Sequence, residues 1–134
     1  MDDYLNKIYR EEKKFTENDV IRFSELTGDK NPIHLDEDFA KKSIFGDRII
    51  HGMLAASYFS KILGMDFPGP GTIYLGQNIK FKKPIKIDEL ITFELKIVEV
   101  NSEKNNLTIK TTCYNKIKEI IIEGEAFVKI RNII

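Results

Sequence analysis

Between Gly52 and Leu63 the chain is apolar on nearly every face of a helix. Met53, Leu54, Ala55, Ala56, Tyr58, Phe59, Ile62 and Leu63 fall there, interrupted by Ser57, Ser60 and Lys61. A helix that is apolar on most of its faces has to be covered by other structure. Lipid is not that cover, because the stretch Ile49 to Leu63 is too short and too polar for a membrane span, which needs about 20 apolar residues. In a chain of 134 residues, a size that carries one core, something else in the chain has to wrap it. We therefore expect one domain over residues 1–134.

The back half reads as that cover. Thr72 to Lys82, Leu90 to Val100, Leu107 to Tyr114 and Ile120 to Ile130 all have strand character. In the second of these, Ile91, Phe93, Leu95 and Ile97 share one face, which Glu99 would continue. Asn105-Asn106 and Asn115 to Glu119 are short polar connections suited to antiparallel hairpins, and Pro84 with Asp88-Glu89 marks another bend. One buried helix against antiparallel strands is an α+β layer arrangement.

The front half is mixed. Ile8 to Phe15 reads as a first strand. Thr16 is placed to cap a helix, with Asp19 making an imperfect capping box. Val20, Ile21, Phe23 and Leu26 give that helix an apolar stripe, and Gly28 can stop it. In Asp29-Lys30-Asn31-Pro32-Ile33-His34, Pro32 turns Asn31 away from helical angles, so the segment is expected to be extended or turned. Asp36 then caps a second short helix over Glu37 to Lys42.

Charge and cysteine usage narrow the partners. Twenty-one basic residues balance 21 acidic ones, so nothing in the bulk charge draws the chain to nucleic acid or an anionic membrane. A single cysteine, Cys113, excludes an intrachain disulfide and a thiolate metal cluster. The acidic opening Met1-Asp2-Asp3-Tyr4 lacks the basic-then-apolar pattern of a signal peptide. A cytoplasmic protein is expected, with no membrane or nucleic-acid partner.

Asp29 and His34 lie five apart across a proline-bent loop. An acid and a base so placed are able to hold one water, and hydration of an enoyl thioester needs that arrangement: a proton leaves the attacking water and one reaches the α-carbon. The same residues also read as a helix end followed by an Asn-Pro turn and a cap. Gly52 opens the apolar helix, where unpaired N–H groups and the dipole favour a developing oxyanion; equally, it allows the helix to start tightly against a strand. Ser57 and Ser60 share a helix face and commonly bond back to carbonyls. Ser60 lies about 12 Å along the axis from Gly52, so the two do not hold one oxygen. Gly69-Pro70-Gly71 is a turn rather than a phosphate loop. His34, Asp36 and Asp38 lack the second histidine a metal site would want. The basic run Lys80 to Lys86 is either a solvated strand face or a surface for coenzyme A phosphates.

The stretch Leu26-Thr27-Gly28-Asp29-Lys30-Asn31-Pro32-Ile33-His34-Leu35-Asp36, with Ile50-His51-Gly52-Met53, Pro68-Gly69, Tyr74-Leu75-Gly76 and Phe81-Lys82-Lys83-Pro84 downstream, closely resembles the MaoC-like (R)-specific enoyl-CoA hydratases. The likeness runs from about Phe15 to Val128. It implies a hot-dog fold, in which a long central helix is wrapped by a curved antiparallel β-sheet, and a homodimer joined edge to edge. It also implies that Asp29 and His34 are the catalytic pair and that the Gly52 N–H is the oxyanion donor. Asn31 would shape the catalytic loop and Ser60 would line the active site. Leu63 and Val128 would close the acyl tunnel and favour short chains, roughly four to six carbons. One departure is Asp88-Glu89, where relatives commonly show Gly-Asp; aspartate tolerates the turn angles required there.

The expected reaction is reversible syn addition of water to a trans-2-enoyl thioester, carried by coenzyme A or an acyl carrier protein, with no metal or redox cofactor. A hot-dog thioesterase is the competing enzyme, although Met53 to Leu63 holds no Asp or Glu to serve it. A non-catalytic acyl-CoA-binding module is the alternative outside catalysis.

Overall fold

The computed structural model of the chain describes residues 1–131. A 3-10 turn at Asp2–Tyr4 leads into β1 (Ile8–Lys13), then α1 (Glu17–Thr27), α2 (Pro32–Leu35), α3 (Glu37–Lys41) and α4 (Gly52–Met65). Four strands follow: β2 (Thr72–Phe81), β3 (Ile91–Asn101), β4 (Asn106–Tyr114) and β5 (Ile120–Ile130). They form one antiparallel sheet in the order β1-β3-β4-β5-β2, so β1 and β2 are its edges.

The first helix begins where its sequence says it should. Thr16 Oγ1 accepts from the Asp19 N–H at 3.2 Å, and Asp19 Oδ2 accepts from the Thr16 N–H at 2.9 Å, a complete capping box. Gly28 ends α1 at φ 81°, a left-handed conformation that costs glycine nothing. Asp36 Oδ1 accepts from the Asp38 and Phe39 N–H groups and opens α3.

Of the two forms expected for the segment between them, extended or turned, it takes the turned one. Asn31 keeps the extended ψ of 125° that a following proline demands. Pro32, however, occupies the first position of a one-turn helix, where its missing N–H is no loss. The Asn31 side chain accepts from the Ile33 N–H at 3.2 Å and caps that turn. The result places His34 on a helical turn rather than on extended chain.

One face of the sheet makes the core. Ile91, Phe93, Leu95 and Ile97 of β3, Leu107 and Ile109 of β4, and Ile122, Ala126 and Val128 of β5 are all buried. From α4 they receive Ala55, Phe59, Ile62 and Leu63, a stripe at helical spacing. Phe59 meets Phe93 edge-on with ring centroids 5.1 Å apart. Each such large apolar side chain contributes about 1.5–3 kcal/mol by leaving water.

Two details correct the alternating pattern. A bulge at Val98 shifts the β3–β4 register between Ile97 and Glu99. The inward position after Ile97 is thus Val100, which packs on the core, while Glu99 faces solvent. The helix is also covered on one side only, since Met53, Ser57, Ser60 and Lys61 remain exposed. A single sheet has one face to offer. Further bulges, between Tyr74 and Gly76 and between Cys113 and Tyr114, bend the sheet around the helix. Asp88 adopts φ 65°, so aspartate does take the left-handed turn before β3.

Candidate active site

The N-terminal end of α4 faces a cavity of about 460 Å³. Asp29 and His34 line it from the α1–α2 region, His51 and Gly52 from the helix start, and Phe81, Lys82 and Lys83 from the end of β2. Phe45, Ile49, Met53, Ile85 and Ile122 are among its apolar walls. Such a mostly apolar cleft with a few convergent polar groups is the usual form of a small-molecule site.

Local hydrogen bonds build the loop that carries Asp29. The Thr27 hydroxyl donates to the Phe23 carbonyl at 2.8 Å and accepts from the Asp29 N–H at 3.1 Å. Asp29 Oδ1 accepts from the Asn31 N–H at 3.3 Å. The Asp29 side chain is exposed, while His34 keeps only 8% of its surface accessible. Behind the loop, the nearly buried Arg48 side chain bridges α1 and α3 through Glu17 at 3.1 Å and Glu37 at 3.6 Å.

The tautomer of His34 follows from its partner. Nδ1 lies 2.7 Å from the Ile49 carbonyl oxygen. A carbonyl only accepts, so Nδ1 carries the proton in the neutral ring and Nε2 is left with a free lone pair. His34 is thereby prepared to take a proton.

His51, to which no role was assigned from sequence, sits at the centre of the cluster. Its side chain is 2% exposed, and its ring stacks on that of His34 with centroids 3.9 Å apart and planes 28° from parallel. Nε2 lies 3.1 Å from the Asp29 carbonyl oxygen and 3.0 Å from Ser24 Oγ. Burial holds its pKa below the ordinary histidine value; the Asp29 carbonyl works the other way, and the neighbouring His34 lowers it again. The ring is therefore neutral near pH 7. The available signal was that the chain has just two histidines, and that this one lies between Ile50 and the uncapped start of an apolar helix.

Ligand-capable atoms of Asp29, His34 and His51 lie within 4.8 Å of one another. Two stacked imidazoles nevertheless make a poor metal site, because their in-plane lone pairs lie in nearly parallel planes and do not converge on one ion. His51 Nε2 is in addition engaged with Asp29 and Ser24.

Gly52 is the first residue of α4, which has no side-chain cap at this end. Its N–H therefore has no intrahelical acceptor and is free for a ligand. A Cβ at this position would fall 2.8 Å from Cε1 of Phe81, so glycine leaves room for that ring against the helix start.

The structure brings Asp29, His34 and Gly52 to one cavity; Asn31, Ser60, Leu63 and Val128 do not line it. Asn31 caps α2 beside the cavity. Ser60 is exposed further along α4. Leu63 and Val128, at 1% and 0% exposure, belong to the core together with Ile121 and Ile122, which do reach the cavity wall.

Comparisons with known proteins identify the family. The model of the MaoC-like domain matches residues 6–119. The (R)-specific enoyl-CoA hydratase of Rhodospirillum rubrum is 41% identical over 118 residues, covering 88% of this chain and 81% of that one. The 3-hydroxybutyryl-CoA dehydratase of Methylorubrum extorquens is 38% identical over 118 residues, covering 88% and 74%. Among solved structures, the (R)-hydratase from A. caviae involved in PHA biosynthesis superposes with a TM-score of 0.92 at 37% identity, over 95% of this chain and 96% of that one. With the sheet order, the central helix and the polar cluster at its N-terminal end all in place, the chain belongs to the MaoC-like family of hot-dog hydratases and dehydratases.

Proposed function

We propose that this protein is an (R)-specific enoyl-CoA hydratase, catalysing reversible syn hydration of short trans-2-enoyl thioesters to (R)-3-hydroxyacyl thioesters, and that residues 1–134 act as one domain. The observation that carries the reading is the convergence of Asp29, His34 and Gly52 on a single cavity. The names of its relatives support it.

In the reaction we propose, a water lies between the Asp29 carboxylate and His34 Nε2. The water oxygen bonds to the β-carbon while Nε2 removes one of its protons. The electron pair of the double bond moves toward the thioester oxygen, which the Gly52 N–H stabilises; such donors contribute about 3 kcal/mol. The proton held at His34 then passes to the α-carbon on the same face, so that one molecule of water is added and His34 is again neutral. Asp29 orients the water and stabilises the transient imidazolium.

Leu63 and Val128 limit acyl depth from behind Ile121 and Ile122 in this reading, Asn31 acts through the loop it caps, and Ser60 meets a distal part of the ligand. The carrier is coenzyme A or an acyl carrier protein. A homodimer is supported by the sheet edges. β1 is short and bears Arg10, Glu11, Glu12 and Lys13, whereas β2 is ten residues long and exposes Ile73, Tyr74, Leu75 and Phe81. A long apolar edge strand is a template for pairing, and its Phe81 end adjoins the cavity. One buried free thiol, Cys113, suits the cytoplasm.

The test follows loss of the conjugated enoyl absorbance with crotonyl-CoA and identifies the product enantiomer. Wild type should turn over to the (R) product, and His34→Ala should lose about 100-fold or more in kcat, the scale of general acid–base catalysis. Folded dimer without turnover of crotonyl-CoA, or of a longer enoyl-CoA, would sink the CoA reading.

A further inference from the structure

We infer that His51, seated against Ser24, is a positioning residue for this hydration: its Nε2–H fixes the Asp29 main chain and its face sets the plane of the His34 ring. The inference rests on the hydratase reading and goes beyond its catalytic pair.

Three contacts carry it. His51 Nε2 faces the Asp29 carbonyl oxygen at 3.1 Å. Two lone pairs at that distance would repel, so the Nε2 position bears the hydrogen. Ser24 Oγ at 3.0 Å buttresses the same edge of the ring from α1, where Ser24 is itself buried. The opposite ring nitrogen, Nδ1, is buried with no partner. A core histidine kept only for packing would be replaceable by an apolar ring at no such cost. The orphan acceptor is tolerated because the other edge and the face of this ring are both in use.

The face is used by His34. The two rings stack at 3.9 Å, and Phe23 closes the cluster with its centroid 4.8 Å from that of His51. The charged or titratable groups facing His51 are Asp29 and His34; Ser24 and Phe23 are neutral. A neutral ring here lets His34 take a proton without a second cation against it. His51 is also the residue from which α4 starts, so one imidazole touches the Asp29 loop, the His34 ring and the backbone leading to the Gly52 N–H. The stacked pair is thus fixed in opposite tautomers: His34 protonated at Nδ1 and His51 at Nε2.

With only two histidines, long-range proton–nitrogen correlation spectra of ¹⁵N-labelled protein should resolve both rings. The expected spectrum at neutral pH shows the two opposite tautomers. In parallel, His51→Gln retains a donor near the Nε2 position, while His51→Phe keeps a ring to stack and loses the donor. Each variant loses one of the two contacts, so both should lower kcat with KM within about threefold: His51→Phe by about 10-fold or more, because the Asp29 main chain loses its donor, and His51→Gln by less, as expected for misplacement of a reacting group. A His51 ring protonated at Nδ1, or a His51→Phe kcat within about threefold of wild type, would overturn the positioning role alone. If His51→Phe does not fold, the spectrum and the glutamine variant still decide. Wild type that turns over no enoyl thioester overturns the hydratase reading and this inference with it.

Discussion

The two ends of α4 treat their polar groups in opposite ways. Toward the C-terminal end, Tyr58 and Lys61 point to Glu11 on β1: the Tyr58 hydroxyl donates to Glu11 Oε2, Lys61 Nζ stands 3.1 Å from both carboxylate oxygens, and Tyr9 donates to Oε1 at 2.7 Å. Lys61 also pairs with Asp66 at 2.7 Å. At the N-terminal end, the helix starts uncapped, His34 keeps Nε2 free, and His51 Nδ1 is buried without a partner. The saturated end ties an edge strand to the helix. At the unsaturated end the Gly52 N–H and His34 Nε2 face the cavity ready for a substrate, while His51 Nδ1 stays buried.

Substitutions should separate the two ends cleanly. The largest effect is expected from Asp29→Asn, which keeps the acceptor used by the Asn31 N–H but removes the charge. It should lower kcat about 100-fold, roughly 2.7 kcal/mol of transition-state stabilisation, and leave the unfolding free energy from urea titration within about 0.5 kcal/mol of wild type, as for an exposed site. Comparable losses of stability and rate would erase the distinction between the ends.

Glu11→Gln should do the reverse. Removing a half-buried carboxylate that accepts from Tyr58, Tyr9 and Lys61 should cost about 1–2 kcal/mol in denaturant unfolding, with kcat on crotonyl-CoA unchanged. An altered kcat would show that the edge strand reaches the site after all.

Acidification should release the two ends in sequence. His51 has its pKa held down by burial, so the unfolded chain binds the proton more readily and stability falls once pH drops below the unfolded value, about 6.5. For Glu11, burial works to raise the pKa, but the hydrogen bonds from Tyr58, Tyr9 and Lys61 together outweigh it and the net shift is downward. Its stabilisation is therefore present above the unfolded value of about 4.3 and is lost as pH falls through the lower folded value. Unfolding midpoints measured across this range should show a first decline absent from His51→Gln and a second absent from Glu11→Gln. The smallest effect belongs to Lys61→Met: its pairs are 41% exposed on the lysine side, and such pairs contribute less than about 1 kcal/mol. A larger loss would mean that the lysine, rather than the tyrosines, organises the cluster.

Much of this molecule is legible in local sequence. Thr16 with Asp19, Gly28 and Asp36 mark their helix ends because a cap depends on residues three or four away. Ile91, Phe93, Leu95 and Ile97 announce a strand face because the pleat repeats every two residues. Asp29, His34 and Gly52 were legible through the resemblance of the segments around them, and they line one cavity. What escaped depends on distant neighbours. Glu99 points outward because a bulge opposite Thr108 inserts Val98. Pro32 opens a helical turn because Asn31 and the Ile33 backbone close it. His51 looks like one polar residue before an apolar helix until Ser24, 27 positions earlier, and the Asp29 carbonyl are folded against it.

The sequence alone thus determined where most elements begin and end and most of the residues that seek the core, since these follow from short-range hydrogen bonding and from the periodicity of apolar residues. Tertiary structure alone decided that β1 pairs with β3, with Lys13 opposite Ile91, that α4 is covered on one side, and which nitrogen of each histidine holds its proton. Those outcomes turn on contacts between residues tens of positions apart, where a difference of one ångström or one lone pair selects the partner.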